Sequence, residues 1–311
     1  MNFTGYSDAP AGSDKGRGLT LTRRSFLTAI AALAPFRPAL AETAPLPVVA
    51  SFSILGDLVK EVGGAAVDLS TIVGPNGDAH VYEPTPQDGR KLAQARLVFI
   101  NGLGFEGWIE RLIKASGTKA RIVTLGDGVT ARKDENGLDP HVWQNVENAI
   151  KYVEAIGAAF EVADPAHAAI YSANAAAYRE KLAALDADIA RTFQEIPKER
   201  RRIVSTHDAF GYFAARYGLK FIAPQGVSTE SEASAREVAK IIDAVKQNRV
   251  AAVFLENIAD PRLTQRIAAE TGAKIGGTLY SDALSEPGGP APTYIDMMRH
   301  NVGELAKALG A

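Results

Sequence analysis

One helical stretch limits what this 311-residue chain can become. From Asp164-Pro165 to about Glu195, apolar residues recur near a 3.6-residue period: Ala168, Tyr171, Ala175, Tyr178, Leu182, Leu185 and Ile189. Asp164 reads as an N-cap with Pro165 in the first helical position, and Pro197 stops the run. At 1.5 Å per residue such a helix is roughly 45 Å long, more than one domain normally accommodates. It is expected to connect two bodies.

On both sides of that helix, short β-branched runs alternate with helical patterns. Before it, strands are predicted over 46–52 (LPVVASF), 67–73 (VDLSTIV), 97–101 (LVFIN) and 121–125, with helices over 55–62, 88–95, 108–115 and 145–160. A glycine-rich loop fills 74–88 and a polar loop fills 126–140. After it, strands are predicted over 202–205, 220–222, 251–255 and 274–278, with helices over 211–217, 234–248, 261–271 and 294–309. Such alternation gives parallel sheets with crossover helices. The predicted fold class is therefore α/β, with two βα lobes (42–163 and 198–311) joined by one long rigid helix (164–197). Ligands of open α/β sheets bind beyond the carboxyl ends of strands, which places a site in the interlobe cleft.

Composition removes several classes of function. The sequence contains no cysteine, which excludes disulfides, thiolate metal sites, cysteine nucleophiles and a lipidated cysteine. A net charge of −2 carries no nucleic-acid footprint. Thr22-Arg23-Arg24-Ser25-Phe26-Leu27 reads as a twin-arginine signal, followed by a short apolar run and by Ala39-Leu40-Ala41, a small-x-small cleavage pattern. The run is too short, and too interrupted by Pro35 and Pro38, for a membrane span, which needs ~20 apolar residues. Residues 1–41 are thus expected to be cleaved, with the mature protein in the periplasm. Their removal takes five basic and two acidic residues from totals of 34 and 36, leaving a net charge of −5.

Five histidines occur in the whole chain. His80 follows the second predicted strand through a glycine-rich turn, His141 ends the polar loop just before a helix, and His207 follows the strand over 202–205 directly. Asp282 lies just past the strand over 274–278. Two of these four come from each lobe, all near predicted strand ends or loop–helix junctions. Three imidazoles and one carboxylate are a standard ligand set for a divalent transition ion, and with the ion the set carries a formal charge of +1. A loop histidine taken alone is more often a surface residue than a ligand, and the spacing here is no local metal motif. The shared position at strand ends is what raises the four as a group. His167, in the first turn of the long helix, and His300, beside Arg299 on the last helix, lack that context and are expected to be solvated.

Taken together, certain stretches resemble the periplasmic zinc- or manganese-binding component of bacterial ABC transporters, the solute-binding proteins of cluster A-I, and most of all the zinc-uptake receptors. They are Ser51-Phe52-Ser53-Ile54-Leu55-Gly56-Asp57, Asp78-Ala79-His80-Val81-Tyr82-Glu83-Pro84-Thr85-Pro86, Asp139-Pro140-His141-Val142-Trp143, Thr206-His207-Asp208-Ala209-Phe210-Gly211-Tyr212, Gly226-Val227-Ser228-Thr229-Glu230 and Tyr280-Ser281-Asp282-Ala283-Leu284. The resemblance implies that His80, His141, His207 and Asp282 are the metal ligands and that the long helix is a rigid connector. It implies a membrane permease as partner, no nucleic acid, and a chain that works as a monomer. Manganese-selective members usually carry glutamate where this chain has His207. A third imidazole favours Zn(II), with Mn(II) the alternative. Zinc receptors of this kind often have a long histidine-rich loop before the second ligand, whereas here residues 126–137 are short and contain no histidine. Metal acquisition then rests on the site itself or on a separate metallochaperone.

Rival readings follow from the same residues. An exported zinc-dependent hydrolase could use three histidines with Glu83, Asp208 or Glu230 as base, but Asp282 would fill the position that activated water needs. A surface adhesin role has no anchoring cysteine to support it. Gly102-Leu103-Gly104-Phe105-Glu106-Gly107 spells a GxGxxG pattern after a strand, which is read here as a turn.

Overall fold

The computed structural model describes residues 44–134, 137–248, 250 and 252–310. The signal segment expected over 1–41 lies outside them. The first lobe runs β1 (Leu46–Phe52), α1 (Ser53–Gly63), β2 (Val67–Val73), α2 (Pro86–Gln94), β3 (Leu97–Ile100), α3 (Ile109–Ser116) and β4 (Arg121–Thr124). Its four strands pair in parallel in the order β2-β1-β3-β4. β1 and β3 are the inner strands and are buried almost throughout, as expected of a parallel sheet covered on both faces. A two-residue hairpin, β5 (Lys133–Asp134) with β6 (Gly137–Leu138), interrupts the segment predicted as plain loop.

Two long helices follow, α4 (Val146–Ala163) and α5 (Ala168–Gln194). The second lobe then runs β7 (Arg202–Val204), α6 (Gly211–Tyr217), β8 (Lys220–Ile222), α7 (Ala235–Asn248), β9 (Ala252–Glu256), α8 (Pro261–Thr271), β10 (Lys274–Leu279) and α9 (Tyr294–Leu309). Its sheet is also parallel, in the order β10-β9-β7-β8. The α/β class, the two lobes and the long helix are all present.

Among the helix starts that differ from the sequence expectation, two have a visible side-chain cause. α2 begins at Pro86 because Thr85 and Asp88 form a capping box: the Asp88 carboxylate accepts from Thr85 N at 2.9 Å, and Pro86 takes the first position. The long helix is regular only from Ala168, after a 3-10 turn over Pro165–His167. Asp164 does not cap it. Its carboxylate instead faces the His167 ring at 2.7 Å and accepts from the Tyr171 hydroxyl at 2.8 Å.

One buried apolar cluster runs through both lobes, from Phe52, Phe99 and Phe160 to Phe213, Phe254, Leu279 and Met297. A smaller one, including Val238, Ile242 and Ile267, packs α7 and α8 on the second sheet. Polar ties cross between the lobes. Trp143 Nε1 and Gln144 Nε2 donate to Ser281 O at 2.9 and 2.7 Å, and the Tyr294 hydroxyl donates to Trp143 O at 2.7 Å. Tyr294 N donates to Asp57 Oδ2 at 2.8 Å, and Leu284 N to Ser53 Oγ at 3.0 Å. The β-strands of both sheets therefore end against a shared, largely dry seam.

Candidate metal centre

Each of the four singled-out side chains is placed by a distinct local device. His80 sits in the loop after β2, which turns at Asn76, a non-glycine residue with φ 54°. Asp78 Oδ1 accepts from His80 N at 2.9 Å, and Trp108 Nε1 donates to Ala79 O at 2.7 Å, so the loop is held from two sides. The ring stands edge-on to Phe105, 4.6 Å between centroids. His141 follows β6, where Asp139 Oδ1 accepts from His141 N at 3.0 Å and lies 2.9 Å from its ring Nδ1.

His207 emerges from the end of β7, its backbone bridged to Gln225. Glu256, the last residue of β9, accepts from Thr206 N at 2.7 Å and from His207 N at 3.0 Å through Oε1. Its Oε2 lies 2.6 Å from His207 Nδ1. Asp282 follows β10; the preceding carbonyl of Ser281 is fixed by Trp143 and Gln144, and Tyr280 is pinned on both backbone groups by Asn301 of α9.

These devices bring all four together. One donor atom from each of His80, His141, His207 and Asp282 lies within 4.8 Å of the others, and all four residues are buried. His80 Nε2 is 3.4 Å from His141 Nε2 and 3.3 Å from Asp282 Oδ2. His207 Nε2 is 3.1 Å from Asp282 Oδ2, and His141 Nε2 is 3.6 Å from Asp282 Oδ1. A tetrahedron with bonds of about 2.0–2.1 Å has edges of roughly 3.3–3.4 Å, so these four separations bracket what such an ion needs. Among the described residues Asp282 Oδ1 has no hydrogen-bond partner and is buried, an orphaned acceptor that a cation would satisfy.

The electrostatics agree. Burial alone would raise the Asp282 carboxyl, but the His207 and His141 rings hold it well below the usual carboxylate range. Burial alone would lower His141, yet the Asp282 and Asp139 carboxylates push it up to about 9. For His207 the same opposition ends well above the ordinary imidazole value, with Glu256 as the leading carboxylate and Asp282 next. Asp282 and the rings of His141 and His207 thus hold one another in charged forms.

Other residues raised from the sequence lie elsewhere. Glu83 and Glu230 are exposed and Asp208 is half-buried; none belongs to the buried donor group. His167 and His300, expected to be solvated, are both half-buried and engaged: His300 Nε2 donates to Thr278 O at 2.9 Å, because α9 lies along β10. The GxGxxG loop has φ of 81°, 56° and 83° at Gly102, Leu103 and Gly104, a run of left-handed backbone whose N–H groups could cradle an anion. The chain's own Glu106 fills that role, accepting from Asn101 N at 2.7 Å, Gly102 N at 3.1 Å and Ser51 Oγ at 2.6 Å. Sequence reasoning missed Asp139 and Glu256, the two carboxylates behind the rings. An acidic residue closing an otherwise apolar strand (Ala-Val-Phe-Leu-Glu) was the available signal for Glu256.

Residues 48–308 match the family model described as ZnuA, zinc-uptake complex component A, periplasmic, and the chain belongs to that family. It is 35% identical to the iron-binding protein YfeA of Yersinia pestis over 298 residues, 94% of each chain. It is also 35% identical to the manganese-binding lipoprotein MntA of Halalkalibacterium halodurans, over 85% of this chain and 88% of that one. Its fold matches the periplasmic zinc binding protein TroA from Treponema pallidum with a TM-score of 0.82 at 31% identity, covering 86% of this chain and 100% of that one. The class is that of metal-binding receptors serving ABC transporters, not of enzymes, and the hydrolase reading falls with it. Three relatives carry three metals in their names, so the names do not choose one. Several relatives are named lipoproteins, whereas this sequence has no cysteine to carry lipid. No helix among the described residues is long and apolar enough to cross a membrane.

Proposed function

We propose that this chain captures Zn(II) in the periplasm with His80, His141, His207 and Asp282 and delivers it to the permease of a metal ABC transporter. The observation that carries this reading is the convergence of four buried donor groups, two from each lobe, at separations suited to a small tetrahedral ion. Three nitrogen donors and one carboxylate favour zinc over manganese, which prefers oxygen. Asp139 and Glu256 stand behind two of the rings and add negative charge beside the ion without help from solvent. Because all four ligands are buried, loading and release require the lobes or their loops to part. Twin-arginine export of a folded chain fits the Arg23-Arg24 segment and the lack of cysteine. With no histidine-rich loop to gather metal, supply falls to the site itself or to a periplasmic metallochaperone.

Mn(II) is the second reading, and one observation favours it. Both oxygens of Asp282 face the rings, Oδ2 toward His80 and His207 and Oδ1 toward His141, so the carboxylate can bind in bidentate fashion and supply two oxygen donors. Metal analysis of protein purified from its native compartment, together with Zn(II)/Mn(II) competition titration, decides between them. Zinc in the isolated protein and a zinc affinity exceeding that for manganese by several orders of magnitude is the expected result. Manganese in the isolated protein, retained against equimolar zinc, overturns the zinc assignment.

A further inference from the structure

Glu256 divides its two oxygens between different tasks. Oε1 is committed to the backbone, accepting from both Thr206 N and His207 N. Oε2 faces the ring: it lies 2.6 Å from His207 Nδ1, and among the described residues neither atom has a hydrogen-bond partner elsewhere. Both side chains are buried, so water cannot substitute. A neutral imidazole carries its proton on one nitrogen and its lone pair on the other, and the group opposite one nitrogen decides which.

We propose that Glu256 is the positioning residue that fixes the tautomer of His207, keeping the proton on Nδ1 so that Nε2 presents a lone pair to the ion. The inference rests on His207 being a metal ligand and adds which group makes it one. Asp139 is built differently. Its Oδ1 alone serves both His141 N and His141 Nδ1, while Oδ2 looks toward Arg132 Nε at 3.5 Å. The two carboxylates, alike in sequence logic, therefore tolerate amide replacement to different degrees.

In Glu256→Gln the amide oxygen must stay on the two backbone N–H groups, which forces its NH2 against Nδ1. Nδ1 then has to accept, the ring proton moves to Nε2, and the metal-facing nitrogen is blocked. In Asp139→Asn the oxygen can keep both of its duties, with the NH2 turned to the other side. The test is zinc affinity by chelator competition for wild type, Glu256→Gln, Asp139→Asn and His207→Ala. Loss of about 10–100-fold in Glu256→Gln, with the melting temperature retained and a clearly smaller loss in Asp139→Asn, is expected. Wild-type affinity in Glu256→Gln, or equal losses in the two amide variants, overturns the inference. If wild type and His207→Ala bind zinc equally, the ligand assignment fails instead.

Imidazole 15N spectra of the zinc-loaded wild type supply a readout that does not depend on any variant folding. His207 Nδ1 should carry a proton; a bare Nδ1 with a protonated Nε2 would refute the assignment of Glu256.

Discussion

His207 Nε2 stands 3.1 Å from Asp282 Oδ2, although the two lie 75 positions apart in the chain, and no solvent reaches either. The contact joins the ends of β7 and β10, which flank β9 in one sheet, so half of the candidate site is assembled by a single lobe. His80 and His141, 3.4 Å apart, form the other half from the opposite side of the seam.

Removing one ring from this arrangement should separate binding from folding. His207→Ala is expected to keep the far-ultraviolet circular dichroism of wild type while zinc affinity falls by more than about 100-fold, beyond the loss seen for a supporting residue. Chelator competition measures it, and a loss of only a few-fold would remove His207 from the ligand set.

Binding should also expel protons. His141 is pushed up to about 9 and His207 lies well above the ordinary value, so below that range both rings are protonated before metal arrives. A ring must lose that proton to bind, and affinity should therefore weaken steadily as pH falls from about 9, not only below the roughly 6.5 of a free imidazole. Calorimetry at pH 7 in buffers of different ionisation enthalpy should show about two protons released per zinc. A pH-independent affinity between 9 and 6 would contradict the pairing of rings with carboxylates.

Asp57 gives a prediction about stability. It is buried on α1, and burial raises its carboxyl to about 6 even though Tyr294 N donates to it. A carboxyl raised in the folded state favours folding at low pH, and that contribution is lost as pH rises from about 4 through 6, by roughly 3 kcal/mol at most. Asp57→Asn keeps an acceptor for Tyr294 N and should abolish this part of the pH dependence. Melting curves of the two proteins at pH 4.5 and 7 should therefore differ more at pH 7, with the asparagine variant the more stable.

Tyr294 tests the ties across the seam. Tyr294→Phe removes the donor to Trp143 O, in a residue with no exposed surface. The expected cost is about 1–3 kcal/mol, or roughly 2–4 °C of melting temperature per kcal/mol. Zinc affinity should drop as well, because Trp143 holds the carbonyl that precedes Asp282. Unchanged affinity with lowered stability would show that the tie serves folding alone.

Much of this was legible in the residues. Apolar periodicity gave β1, β2, α6, β8, α8 and α9 their observed limits, because each is bounded by glycine, proline or a polar turn. His80, His207 and Asp282 were legible as residues that follow strands, since parallel sheets gather those ends, and His141 as a residue at a loop–helix junction. What periodicity does not encode is side-chain partnership. Thr85-Pro86-Gln87-Asp88 held a capping box that would have started α2 two residues earlier, and Asp164 looked like a cap but was taken by His167 and Tyr171. The half-buried state of His300 depends on where α9 lies over β10, a tertiary fact with no local signal.

The buried seam has a kinetic corollary. An ion enclosed by four inaccessible ligands, under a closure partly maintained by bonds such as Trp143–Ser281 that do not involve the ion, cannot be pulled out by a competitor approaching from solution. Its residence time is set by how often the two halves separate. Exchange should then be independent of chelator concentration once chelator is in excess, and hastening it is a task for whatever surface docks across both lobes and pries them apart.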